Sequence, residues 1–84
     1  MIILKTENAF RKFQLVQYSH HGRFFIKKEK YHRDSRIGPA CIWANGSIEY
    51  WEKGRLHRDS KNGPARIWAD GTVEYWENGK RVKI

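Results

Sequence analysis

The sequence predicts an all-β fold: an antiparallel meander of repeated β-hairpins forming a single curled sheet. Three observations carry the prediction. First, residues 31–55 (YHRDSRIGPACIWANGSIEYWEKGR) are nearly copied in residues 56–80 (LHRDSKNGPARIWADGTVEYWENGK), with 16 of 25 positions identical. A short fixed period means stacked supersecondary units rather than one irregular domain. Second, each copy centres on Asn45-Gly46 or Asp70-Gly71 between β-branched and aromatic runs, the strongest short-range hairpin signal. Third, no segment sustains a helical period.

In chain order, residues 1–12 hold a short apolar run, Ile2-Ile3-Leu4, read as an edge strand or an N-terminal cap. Repeat arrays need atypical end units, which favours the cap. Residues 13–30 are a degenerate first unit. At an offset of 25, Tyr18 falls on Trp43 and Trp68, Phe25 on Tyr50 and Tyr75, and Ile26 on Trp51 and Trp76. That gives a strand over Phe13–Tyr18, a turn over Ser19–Gly22 and a strand over Arg23–Lys28. Residues 31–55 are the second unit and 56–80 the third. Asn78-Gly79 is a further turn, returning residues 81–84 as a terminal strand. Between hairpins, His-Arg-Asp-Ser-x-x-Gly-Pro at 32–39 and 57–64 reads as a loop. Asp and Ser bond nearby backbone N–H groups, and a proline without a ladder donor suits the first residue of a strand.

A two-residue turn at Asn45-Gly46, with both residues at positive φ, predicts Trp43 opposite Ile48, Ile42 opposite Glu49, Cys41 opposite Tyr50 and Ala40 opposite Trp51. The third unit repeats this: Trp68 with Val73, Ile67 with Glu74, Arg66 with Tyr75 and Ala65 with Trp76. One face then carries Cys41, Trp43, Ile48, Tyr50, Arg66, Trp68, Val73 and Tyr75, with Val16, Tyr18 and Phe25 before them. The other carries Ala40, Ile42, Glu49, Trp51, Ala65, Ile67, Glu74 and Trp76, with Leu15, Phe24 and Ile26. Neither is the polar side of a half-solvated sheet. A cover is therefore expected over one face: the N-terminal segment, a partner, a second copy in a homodimer, or the stems of long Lys and Arg side chains.

The chain has 84 residues, enough for one domain near the lower limit for an independent core. Its net charge of +8 favours acidic partners. The charge is uneven: residues 1–37 carry nine Lys or Arg against three acids, residues 38–84 eight against six. Arg23, Lys27, Lys28, Lys30, Arg33 and Arg36 supply much of the N-terminal field. The single Cys41 offers no internal disulfide, which points to a reducing, cytoplasmic setting. No apolar run is long enough to span a membrane, and the MIILKTEN start lacks the basic and apolar regions of a signal peptide.

Tempting motifs resolve structurally. His-Arg-Asp matches the catalytic-loop triplet of protein kinases, but here it occurs twice, without a Gly-rich loop or Asp-Phe-Gly. The expectation is that Asp34 and Asp59 cap their loops while Arg33 and Arg58 reach Glu49 and Glu74. His20, His21, His32 and His57 lack metal-ligand spacing, and His32 and His57 read as loop histidines bonding backbone. Catalytic residues, metal and cofactor are all expected to be absent.

The pattern HRDS-x-x-GPA-x-IW-A-[ND]-G-x-x-EYWE-x-G-[KR] resembles MORN-type repeats, more closely the variant class of bacterial and phage proteins with HRD, GPA and a DG turn before an aromatic pair. The resemblance covers 31–80 well and 13–30 weakly. It implies stacked hairpins in one elongated sheet, binding of protein or lipid headgroups, and no catalysis. His-Arg-Asp-Ser replaces the usual Gly-x-Gly, which speaks against the lipid role. The expected function is a non-catalytic protein-binding module. By analogy of size and repeat class, it would be a small phage-type inhibitor of a host nucleic-acid-handling or defence complex, of the anti-CRISPR kind. The alternative is direct DNA or RNA binding through the N-terminal basic strand. The expected partner-binding residues are Tyr18, Arg23, Phe25, Lys27, Lys28, Lys30, Trp43, Tyr50, Trp51, Arg66, Trp68, Tyr75 and Trp76. The expected partner is a host protein or protein complex, with nucleic acid as the alternative.

Overall fold

The computed structural model describes residues 2–5, 15–28 and 30–83, and these are all-β, without a helix. The strands are β1 (Ile2–Lys5), β2 (Leu15–Ser19), β3 (Gly22–Lys27), β4 (Lys30–Tyr31), β5 (Cys41–Trp43), β6 (Ile48–Glu49), β7 (Trp51–Glu52), β8 (Arg55–Leu56), β9 (Arg66–Ile67), β10 (Val73–Glu77) and β11 (Lys80–Val82). A nine-stranded antiparallel sheet runs β1-β2-β3-β5-β6-β9-β10-β11, with β4 beside β3, while β7 and β8 form a two-stranded ribbon. The run Ile2–Lys5 is an edge strand on β2, with Ile2 opposite Tyr18. The rest of the expected cap, the start of the expected strand at Phe13 and the end of the terminal strand at Ile84 lie outside the described residues.

The turns depart from expectation in an instructive way. Asn45-Gly46 does not form a two-residue turn. Gly46 N–H donates to Trp43 O (3.0 Å), and Trp43 N–H donates to Ser47 O (2.8 Å). Ala44, Asn45 and Gly46 therefore make a three-residue loop in which only Gly46 takes positive φ, at 97°. The third unit matches, with Gly71 at 92° and the same two bonds from Gly71 and Trp68. Asn45 Oδ1 accepts Ser47 N–H, and Asp70 Oδ1 accepts Thr72 N–H, both at 2.9 Å. These side-chain bonds favour a type I turn with a bulged glycine over the mirror-image turn. The ladder shifts by one residue: Cys41 faces Glu49, Ile42 faces Ile48, Ile67 faces Val73 and Arg66 faces Glu74. Two-residue turns do occur at Lys53-Gly54 and at the expected Asn78-Gly79, where all four residues have positive φ. In the first unit, Ser19 pairs with Gly22 across the two residues His20-His21.

The shift corrects the predicted faces. Glu49 joins Cys41 and Trp43, while Ile48 joins Ile42, because side chains alternate along a strand. β2 pairs Val16 with Phe25 and Tyr18 with Arg23, which keeps Val16, Tyr18 and Phe25 on one face as expected, while the turn is confined to His20-His21 within the expected Ser19–Gly22. Val16, Phe25 and Ala40 form the buried cluster, with Ile42 and Trp51 packed against it. Phe24, Cys41, Tyr50, Leu56 and Ala65 are also buried. Phe24 meets Trp43 edge-on at 4.8 Å and stacks near Tyr31 at 6.0 Å, and Tyr31 meets Trp51 at 5.5 Å.

The face carrying Phe25 and Tyr50 is covered from within the chain. The Arg33 guanidinium lies 3.9 Å from the Phe25 ring centre, and the Arg58 guanidinium lies 4.1 Å from that of Tyr50. Arg33 and Arg58 thus cap rings of the preceding repeat unit rather than pairing with Glu49 and Glu74. Each cation–π contact contributes about 0.5–2 kcal/mol. Units are stitched by backbone bonds from Phe25 N–H to Ala40 O and Tyr50 N–H to Ala65 O, both 2.7 Å. At Tyr50 the strand changes neighbour: its N–H bonds toward β9, while its carbonyl accepts His57 N–H on the ribbon side.

Candidate functional site

The His-Arg-Asp-Ser loops are built the same way twice. His32 Nδ1 accepts Lys53 N–H (2.8 Å), and His57 Nδ1 accepts Asn78 N–H (2.9 Å). Arg33 and Arg58 donate to Pro39 O (3.3 Å) and Pro64 O (3.2 Å). Asp34 and Asp59 each accept the N–H two residues on, from Arg36 and Lys61. Glu52 Oε2 accepts Ser35 N–H, and Glu77 Oε2 accepts both the N–H and hydroxyl of Ser60. The triplet that matches a kinase loop is a brace: His holds the next turn, Arg caps a ring and Asp closes its own loop. Hydrogen bonds from the Arg36 side chain and backbone hold the Asp34 carboxyl down to about 2. Burial holds His32 below its ordinary 6.5, assisted by Lys27.

A second duplicated arrangement lies on the tryptophan face. Glu49 accepts Trp51 Nε1–H (2.9 Å), and Glu74 accepts Trp76 Nε1–H (2.8 Å). Arg66 links the units, with Nε 3.0 Å from Glu49 Oε2 and Nη1 3.4 Å from Glu74 Oε1. Glu74 also accepts Trp68 Nε1–H at 3.0 Å. Hydrogen bonds from Trp76 and Trp68 favour its ionised form and lower its pKa. In the second unit Cys41 holds the place of Arg66, opposite Glu49. Burial pushes its thiol well above the ordinary range, so it serves as a small core residue rather than a nucleophile.

The third arrangement faces outward. The β3–β4, β7–β8 and β10–β11 turns lie on the edge of the sheet opposite the Asn45-Gly46 and Asp70-Gly71 tips. Lys27, Lys28, Lys30, His32 and Lys53 line a recess of about 290 Å³ there. Lys28, Lys30, Lys53, Arg55 and Lys80 are exposed. Positions 30, 55 and 80 are one repeat apart, and their stems form a ladder. A Cβ on Gly54 would lie 3.0 Å from Lys30 Cδ, and one on Gly79 would lie 3.6 Å from Arg55 Cβ, Cγ and Cδ. Lys30 and Arg55 therefore each rest across the turn glycine of the following unit.

The expected partner-binding residues divide accordingly. Phe25 and Tyr50 are buried beneath arginines. Trp43, Trp51, Tyr75 and Trp76 are half-buried. Tyr18 (37%) and Trp68 (41%) are exposed, as is Val73 (43%), but Trp68 shares a face with Arg66 and Glu74 while Val73 faces Ile67. Trp68 and Val73 therefore lie on opposite faces of the sheet. Arg23 is exposed, 5.8 Å from Phe25. Lys27, Lys28 and Lys30 do come together. Lys53, Arg55 and Lys80 join them on the same edge, and the sequence reading left these three out. The signal was present: Arg55 and Lys80 recur at the repeat offset from Lys30. Among the described residues, no three His, Cys, Asp or Glu side chains converge as metal ligands. No family model, curated protein or solved structure matches this chain.

Proposed function

We propose that this chain is a non-catalytic binding module, a MORN-like stack of hairpins in one curled sheet, whose partner presents negative charge. One observation carries the reading. The groups suited to acid–base chemistry are spent twice over on matching internal bonds, while the edge cations point outward. His32 and His57, Asp34 and Asp59, Glu49 and Glu74, and Glu52 and Glu77 occupy paired structural roles with near-identical distances. Such a brace repeats wherever the unit repeats, and these paired bonds engage the side chains that acid–base chemistry would need. Trp51, Trp68 and Trp76, three of the four tryptophans expected to anchor a protein partner, donate their Nε1–H groups to Glu49 or Glu74. The freest chemistry is therefore electrostatic, and +8 provides a field for steering an anionic macromolecule.

The test is fluorescence anisotropy with labelled poly-glutamate and a labelled 20-base-pair duplex at 20 mM salt. The reading expects at least one to bind with an affinity that falls steeply as salt rises. Failure of both to bind removes it.

A further inference from the structure

We infer that the lysine-bearing edge binds the phosphodiester backbone of a nucleic-acid duplex, with Lys27, Lys28, Lys30, Lys53, Arg55 and Lys80 making the phosphate contacts. This rests on reading the chain as a module for an anionic partner and names that partner. Four features of the edge support it.

The cations are periodic. Each unit adds two strands, so Lys30, Arg55 and Lys80 recur at about 10 Å, twice the strand spacing. Three positions span about 20 Å along the edge. A duplex offers a regular polyanion along that length, one charge per about 1.7 Å of axis; an acidic protein face has no such regularity. The cations are also partly pre-positioned. The Lys30 and Arg55 stems lie across Gly54 and Gly79, which reduces the rotamer freedom lost on binding.

Two lysines occupy costly backbone positions. Lys28 (φ 51°) and Lys53 (φ 55°) lie in the left-handed region, where the matching turn of the third unit has Asn78 (φ 53°). Asn tolerates that region better than a long side chain. Lysines placed at strained turn tips point to a use for their charge. Finally, among the described residues, the carboxylates of β7 and β10 nearest the edge bond elsewhere, Glu52 to Ser35 N–H and Glu77 to Ser60.

The edge favours a duplex over a single strand. Sequence-tolerant single-strand sites place aromatic rings beside the cations for base stacking. Here the most exposed rings, Tyr18 and Trp68, flank the opposite turns. Among the described residues, the rings nearest the edge, Tyr31 and Trp51, are half-buried against each other rather than exposed as the central anchor typical of protein hot spots.

The experiment measures duplex affinity against salt for the full chain, Lys30→Gln/Arg55→Gln/Lys80→Gln, and Arg36→Gln/Lys61→Gln/Lys83→Gln. The two triple variants remove equal charge, and far-UV circular dichroism and thermal melts confirm that each is folded. Six phosphate contacts predict about a 10³-fold loss of affinity between 50 and 200 mM salt for the wild type, a log–log slope of roughly −5. The edge variant is expected at a slope of roughly −3, with the control variant near wild type. Equal losses in both variants would show that net charge, not this edge, binds the duplex, and would overturn the inference. Binding of poly-glutamate without duplex binding would also overturn it while leaving the binding-module reading intact. Binding of neither would overturn both.

Discussion

Replacing Glu49 with alanine tests the bridge between the second and third units. Glu49 is 8% exposed and accepts from Trp51 Nε1 at 2.9 Å and Arg66 Nε at 3.0 Å. Truncation strands both donors. A buried donor left without a partner costs about 1–3 kcal/mol, and a charged one lies toward the upper end. The Arg66 side chain is 21% exposed and keeps Glu74 at 3.4 Å, so water and Glu74 recover part of its loss. The combined cost is about 3 kcal/mol. At about 0.05–0.15 kcal/mol per residue, that is a large part of the stability of an 84-residue chain. The expected fall in Tm is about 12–24 °C, at about 4–8 °C per kcal/mol for a domain this size. Calorimetry gives Tm, and urea titration followed by tryptophan fluorescence gives the free energy. Glu49→Gln retains an acceptor for Trp51 but loses the ion pair, so about half the loss is expected. A double-mutant cycle of Glu49→Ala with Arg66→Met isolates the pair. A cost below about 1 kcal/mol for Glu49→Ala, or zero coupling to Arg66, would refute the bridge.

Two glycines with different surroundings should respond differently to alanine. At Gly22 (φ 145°) a Cβ would lie 2.2 Å from Ile42 O and 2.8 Å from Trp43 Cα. That backbone cannot yield without opening the β3–β5 ladder, so a cost above about 3 kcal/mol or failure to fold is expected. At Gly46 (φ 97°) nothing lies within 4 Å, leaving only the conformational cost of about 1–2 kcal/mol. Urea melts decide, and a reversed order would contradict the register. For pH, His32 has a depressed folded pKa, so its contribution is present above its ordinary 6.5 and is lost as pH falls through the folded value. Stability is expected to decline on acidification from pH 7 to 5, and His32→Gln to flatten that decline. Asp34 follows the same sign at lower pH: its contribution is present above about 4 and is lost as pH falls toward about 2. Its size is small, because Asp34 is 35% and Arg36 82% exposed. An unchanged profile for Asp34→Asn between pH 4 and 2 would remove that assignment.

Much of the architecture was open to reading along the chain. The 25-residue duplication placed the hairpins, and Asn45-Gly46, Asp70-Gly71 and Asn78-Gly79 placed three turns, because few residues other than Gly, Asn and Asp tolerate such backbone. Asp34 and Asp59 closing their loops, and His32 and His57 bonding backbone, also followed from local chemistry. These are short-range preferences, written where they act. The faces were not legible. The choice between a two-residue and a three-residue loop depends on whether the residue before glycine takes positive φ, and Asn and Asp permit either course. With a side-chain period of two, that one-residue difference moved Glu49 and Glu74 to the face of Trp43 and Trp68 and left Ile48 beside Ile42. Partners distant in sequence were likewise hidden: Arg33 was expected at Glu49, yet Phe25 lies nearer once β3 and β5 pair. The sequence by itself determined an all-β chain of repeated hairpins and the identity of its cations. Only the tertiary structure decided which side chains share a face, and that Lys27, Lys28, Lys30 and Lys53 share one recess with Arg55 and Lys80 along the same edge. Strand register and unit stacking are long-range pairings that no local preference specifies.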